Sequence, residues 1–327
     1  MIWESSSYGQ RYADVELIGQ GGLGKVYKAY DRNLGRDVVI KEINGHETEE
    51  ADMLLKINND RIPKIYDLFF TDDKTYIVME YMEGDSLREY LLKKNVDYKE
   101  KRDIIFQIAE ILSYLHTLEN PFIYGDLKPE NVIIGNGKVK LVDFGSSKKM
   151  YIRFDNLYTT EIFSAPEQYE GEAYFQSDIY AFGKLMIYIL TRVSLDKKGD
   201  VSFKDLRNLD IDFRDKLIII NCLKWDYSKR YVSAVSLKKA LKHEFISVEN
   251  VLRLVYIILI AYGIILCGLS LILSVVMGDE NFITKYNFFR FGSICFLSAV
   301  LMDINYNTDF DDRHIYYELD VKLSSDF

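Results

Sequence analysis

Four short stretches hold residues whose types and spacing suit chemistry. In Asp126-Leu127-Lys128-Pro129-Glu130-Asn131 a carboxylate, an ammonium and an amide fall close together. Such a carboxylate can accept or orient a hydroxyl proton, the lysine can neutralise a moving phosphate, and the amide can ligate magnesium. Asp143-Phe144-Gly145 follows the strand-like run 138–142 and offers a second oxygen ligand to the metal. Lys41 ends the apolar run Val38-Val39-Ile40, where a lone ammonium is costly. Glu50 opens a helical stretch and is its best partner, with Glu49 a weaker one; the pair would hold Lys41 against nucleotide phosphates. Taken alone, Lys41 reads more readily as an edge-strand lysine facing solvent. Gly19, Gly21, Gly24 and Val26 form a glycine-rich loop whose backbone N–H groups could approach phosphates with no Cβ in the way. A plain hairpin turn would use the same glycines.

The elements around these stretches decide how they are presented. The glycine cluster is flanked by alternating apolar and polar residues, and "RDVVIKEI" and "KTYIVMEYM" are further β-branched runs. They predict an antiparallel sheet, with the short helix "EEADMLLKI" between them. A dinucleotide-binding loop would lead into a helix, whereas this one leads into another strand. After Gly84 the pattern turns helical. Ile104, Ile105, Ile108, Ile111, Leu112 and Leu115 share one face of a helix, and "DIYAFGKLMIYILT" is apolar enough to be buried all round. The block 214–245 reads as more helices.

The four stretches, followed by Ala165-Pro166-Glu167, stand in the order and spacing of the eukaryotic-like serine/threonine protein kinases, especially the bacterial ones, which the sequence resembles over residues 12–245. The resemblance implies an α+β, bilobal protein-kinase fold: a β-rich N-lobe at 12–82 and a helical C-lobe at 83–247, after a lead-in at 1–11. It implies ATP and magnesium or manganese as cofactors and protein hydroxyls as substrate. Catalytic roles fall on Asp126, Lys128, Asn131 and Thr160, which would bridge Asp126 and Lys128. Nucleotide contacts fall on the glycine loop, Val26, Lys41, Glu50, the hinge residues Glu80 and Met82 behind the gatekeeper Met79, and Asp143. Metal ligation falls on Asn131 and Asp143. Asp178 matches a buried aspartate that holds the catalytic-loop backbone, and Arg230 matches the partner of Glu167. Two departures stand out. Tyr124 and Gly125 occupy the places of the family's His and Arg. That Arg binds a phosphorylated residue of the activation segment, so its loss implies a kinase without this control route. The alternative is a nucleotide-binding pseudokinase scaffold. His116, at a helix end, reads as structural.

Composition adds bounds. The net charge of −9 argues against nucleic acid as a partner. Cys222, Cys267 and Cys295 form no close pair, which excludes a disulfide framework and a zinc site. Residues 254–277 carry no charge, and at 1.5 Å per residue they would span about 36 Å, enough for a bilayer core. The sequence therefore predicts a transmembrane helix at 253–277, a turn at 278–286, a second span at 287–305 and an acidic tail at 306–327. Lys238, Lys239, Lys242 and Arg253 precede the first span, and the turn side carries only Lys285 and, just inside the second span, Arg290. The positive-inside rule places the kinase domain in the cytoplasm of a two-span or single-span protein held by membrane lipid. A homodimer is compatible with this arrangement.

Overall fold

The computed structural model describes residues 7–21, 24–46, 48–149, 162–195 and 199–242, together with nine residues between 258 and 276. The chain divides into two units, Met1–His243 and Glu244–Phe327. The first described element of the first unit is a short helix, α1 (Ser7–Arg11). Five strands follow: β1 (Tyr12–Gly21), β2 (Gly24–Asp31), β3 (Arg36–Asn44), β4 (Ile65–Phe70) and β5 (Lys74–Glu80). They form one antiparallel sheet in the order β1-β2-β3-β5-β4. Helix α2 (Glu49–Leu54) interrupts the strands and buries Glu50, Ala51, Met53 and Leu54.

The sheet sorts its residues by alternation. Tyr27, Ala29, Val38, Ile40, Tyr76 and Val78 pack with Tyr12 and Phe69 into one cluster. Ile43, Ile77 and Met79 pack with Ala51 of α2 into another. Lys41 lies opposite Val26 on one neighbour and Ile77 on the other, which seats its charge in the middle of the sheet. At Gly24 φ is 144° and an added Cβ would lie 1.8 Å from the Glu42 carbonyl oxygen, so the fold itself demands glycine there.

The second lobe is mainly helical. After β6 (Asp85–Ser86) come α3 (Leu87–Lys93) and α4 (Tyr98–Leu115). Asp97 caps α4 by accepting from Glu100 N, and the predicted isoleucine–leucine face is buried. Each such side chain contributes about 1.5–3 kcal/mol on burial. The short strand β7 (Phe122–Ile123) leads into the stretch 126–131. A hairpin, β8 (Val132–Gly135) and β9 (Lys138–Leu141), follows. Its Asn136-Gly137 turn has both residues at positive φ, the signature of a two-residue hairpin. β10 (Lys148–Lys149) pairs with β7.

Helix α5 (Phe175–Thr191) is buried from Ser177 to Leu190. A Cβ at Gly183 would meet Cys222 Cβ at 2.6 Å, so glycine lets α6 (Phe213–Cys222) approach closely. α7 (Ala234–Lys242) ends the described part of this unit. Cys222 is buried as a free thiol, and burial pushes its pKa far above the usual value. It serves packing.

The predicted spans fall almost wholly outside the described residues. The nine described residues between 258 and 276 are helical and exposed, and among described residues no helix is long and apolar enough to cross a membrane. The run 287–305 and the tail 306–327 lie outside the described residues.

Candidate active site

Lys41 is 5% exposed, and its ammonium has two carboxylate neighbours. Nζ donates to Glu50 Oε2 at 2.7 Å and to Asp143 Oδ1 at 2.7 Å. Burial alone would lower the lysine pKa, but the two carboxylates outweigh it and hold the ammonium above its ordinary range. Burial raises Glu50, against the pull of Lys41. For Asp143 the order reverses: packing raises it, and Lys41 more than cancels that, so it stays ionised below its usual value. Asp143 also sits at φ 60°, a left-handed conformation that costs a non-glycine residue energy and recurs at functional sites.

The second cluster is built on the loop after β7. Lys128 Nζ donates to Asp126 Oδ2 at 2.5 Å. Asn131 Nδ2 donates to the Asp126 carbonyl at 2.9 Å and to Oδ2 at 3.0 Å. The amide nitrogen is thereby committed to the aspartate, and the oxygen is the end suited to a metal.

Buried polar groups hold this loop from behind. Asp178, in the first turn of α5, accepts from Tyr124 N and Gly125 N, each at 2.8 Å. His116 stands 2.9 Å from the same carboxylate through Nε2, and its Nδ1 accepts from Ala234 N at 3.2 Å. Since Ala234 N–H can only donate, Nε2 carries the proton toward Asp178. His116 thus ties three segments of the C-lobe together.

Three contributors were given no role by the sequence. Tyr124 registered only as a departure. Its ring is fully buried edge-to-face on Phe144, 5.1 Å between centroids, and its hydroxyl donates to the Val142 carbonyl just before Asp143. Ser147 donates to the Tyr124 carbonyl at 2.8 Å, and Gln168 donates to the Gly125 carbonyl at 2.9 Å. Serine and glutamine outside a motif look like any surface residues, and only the contact reveals them.

The remaining expected residues divide by location. Gly19 and Val26 face each other across β1 and β2, as do Gly21 and Gly24, with residues 22–23 outside the described set. A Cβ at Gly21 would meet nothing within 4 Å, so the protein does not require glycine there; the free space suits an approaching phosphate. Glu80 ends β5 with its N–H on the Lys64 carbonyl at 2.8 Å, and the buried Met82 follows. Thr160 lies outside the described residues. Farther down, Arg230 grips Glu167 with both guanidinium arms, at 2.6 and 2.9 Å.

The protein kinase domain family model matches residues 12–246. The chain belongs to the protein kinase domain family. It is 34% identical to serine/threonine-protein kinase PrkC of Bacillus subtilis over 210 residues, 59% of this chain and 32% of that protein. It is 29% identical to serine/threonine-protein kinase D of Synechocystis over 276 residues, 72% of this chain and 52% of that protein. It is 36% identical to human serine/threonine-protein kinase tousled-like 2 over 160 residues, 43% of this chain and 21% of that protein. The match thus spans between a fifth and about half of each of these relatives' length. Family membership gives the site its frame: both motif aspartates, the paired lysine and the Asn131 amide lie within a bilobal kinase fold.

Proposed function

We propose that the chain is a membrane-anchored protein serine/threonine kinase that transfers the ATP γ-phosphate to protein hydroxyls. The observation that carries this reading is Lys41 held at 2.7 Å by both Glu50 and Asp143. A pseudokinase would not need the full set that accompanies it. The relatives bear the names of serine/threonine kinases.

The residues present fit ATP and magnesium. Asp143 and Asn131 are hard oxygen ligands of the kind that hold magnesium with one or two protein groups plus phosphates. Lys41 would meet the α- and β-phosphates, the glycine loop would cover them, and the hinge backbone at Glu80–Met82 would hold the adenine. When bound, ATP would supply the phosphoryl group and magnesium would neutralise its charge. Asp126 orients the substrate hydroxyl and accepts its proton. Lys128, already on Asp126, stabilises charge at the transferring group, with Thr160 bridging the two. Most of the catalysis is positioning and electrostatic stabilisation, for which these side chains suffice.

Gly125 has no side chain with which to bind a phosphate, so this reading includes catalysis without activation-segment phosphate acting through that position. Membrane anchoring rests on the uncharged run 254–277 and on the exposed side chains of Ile258, Tyr262, Ile265, Leu269, Ile272, Val275 and Val276. Exposed apolar side chains along a helix suit a lipid environment. The protein substrates would then be met at the membrane's cytoplasmic face.

The test is transfer of labelled phosphate from ATP to a generic acceptor protein by the purified chain, beside Asp126→Asn. Transfer by wild type and loss in the variant support the kinase. Equal inactivity with intact nucleotide binding would leave the scaffold. The membrane part is tested by fractionation: the chain stays with membranes through a high-salt wash, and release by salt would refute the anchor.

A further inference from the structure

The peptide planes on either side of Gly125 are each pinned by a buried side chain. On the N-terminal side, Gly125 N–H donates to Asp178 Oδ1 at 2.8 Å. On the C-terminal side, the Gly125 carbonyl, which belongs to the peptide leading into Asp126, accepts from Gln168 Nε2 at 2.9 Å. Gln168 is 2% exposed. Its amide orientation is fixed by its other contact: Oε1 accepts from Ala165 N at 2.8 Å, which leaves Nε2 as the donor toward Gly125. Turning either peptide plane away would break one of these bonds. Gly125 sits at φ 82°, and an added Cβ would lie 2.7 Å from the Ser146 carbonyl oxygen.

The far end of this link is anchored as well. Gln168 lies in the short 3-10 helix Pro166–Glu170, whose Glu167 is locked by Arg230 and by Ser177 Oγ at 2.7 Å. A neutral amide therefore connects the Ala165-Pro166-Glu167 turn to the peptide that aims Asp126. Resting on the kinase reading above, we infer that Gln168 is a positioning residue for Asp126. It fixes the catalytic carboxylate by a hydrogen bond that no phosphate has to supply, and it couples that carboxylate to the end of the activation segment.

Two variants of the full chain test this. Gln168→Met fills the volume and makes no hydrogen bond. Gln168→Glu keeps the acceptor for Ala165 N but loses the donor for Gly125 until its new carboxyl takes up a proton. The readouts are kcat and KM for ATP, with myelin basic protein as acceptor, and amide hydrogen exchange of the segment 122–128. A small misplacement of a catalytic group costs about 10- to 100-fold in rate, so kcat falls by that factor in Gln168→Met. KM for ATP stays within about twofold, because the nucleotide contacts lie elsewhere. Exchange in 122–128 speeds up.

In Gln168→Glu the ratio of variant to wild-type kcat recovers as pH falls, since a buried carboxyl protonates early and then donates as the amide did. The charged groups packed around the link are Asp178 with His116, the Asp126–Lys128 pair, and the Glu167–Arg230 pair. All are common to both proteins and cancel in that ratio. The inference is overturned if kcat stays within about twofold in both variants, if KM for ATP worsens in step with kcat, or if the ratio is flat with pH. If wild type transfers no phosphate, the kinase reading fails by itself. The exchange of 122–128 then still decides the link: unchanged exchange in Gln168→Met overturns it.

Discussion

Lys41 and Arg230 are both buried cations with carboxylate partners, their side chains 7% and 0% exposed. Around Arg230 every donor is used. Its five N–H groups meet Glu167 Oε1 and Oε2 and the carbonyls of Lys224, Gln176 and Trp225, all within 3.0 Å. Around Lys41 the geometry is looser. Among the described residues two acceptors serve its three N–H donors, and one acceptor, Asp143, has a side chain 43% exposed. A saturated pair has nothing left to offer a ligand and can only hold the fold. An unsaturated pair with one open side can exchange a protein contact for a phosphate oxygen. Burial and charge alone do not separate a structural ion pair from a functional one; the count of unspent donors does.

The strongest way to break this comparison is to remove each cation in turn. Lys41→Met takes away electrostatic stabilisation at the phosphates, and losses of that kind run to about 10²- to 10³-fold in kcat. The chain should remain folded, because burial already favours a proton on Glu50 and the freed carboxylate can neutralise itself. Single-turnover kinetics and circular dichroism on the same sample check both halves. Full activity in the variant would end the reading of Lys41 as a phosphate contact.

Arg230→Met is expected to do the opposite. Glu167 would be left as an uncompensated buried charge, a loss of about 3–5 kcal/mol. A fall in the urea midpoint records it. An unchanged midpoint would show that the saturated pair is not what holds the Ala165-Pro166-Glu167 turn.

How much of this was legible beforehand follows the same division. The sheet, the two long helices and the motif residues announce themselves through periodicity and spacing, and Lys41 with Glu50 could be paired because a lysine in an apolar strand demands a partner. The hairpin β8–β9 carried an Asn-Gly signal that the shortness of its strands, four residues on either side, made easy to overlook. Gln168 and Ser147 were invisible, since their roles depend on which backbone carbonyl lies opposite, and that is set by tertiary packing. Tyr124 was visible only as a mismatch. What it does, bracing Val142 and Phe144, needs the fold around it.

The smallest expected effect sharpens the contrast through pH, using a third buried carboxylate. Asp31 is fully buried in the N-lobe; burial raises its pKa, and Arg11 with the N–H groups of Leu34 and Asn33 more than reverses this, so its net shift is downward from 3.8. Glu50 shifts upward from 4.5, chiefly by burial. The two therefore tilt stability in opposite directions. For Asp31 the unfolded chain binds the proton first as pH falls. Its contribution is complete above pH 3.8 and is lost as pH drops through the lower folded value. For Glu50 the folded chain holds the proton longer as pH rises. Its contribution is complete below pH 4.5 and is lost as pH climbs through the raised folded value. Urea midpoints of wild type, Asp31→Asn and Glu50→Gln across pH 2.5 to 8 separate the two. Subtracting Asp31→Asn from wild type should leave a difference that changes only on the acid side. Subtracting Glu50→Gln should leave one that changes above pH 4.5 with the opposite sign. If both differences bend the same way, the open pair at Lys41 is as well compensated as the closed structural ones. The distinction between functional and structural pairs would then have to rest on exposure alone.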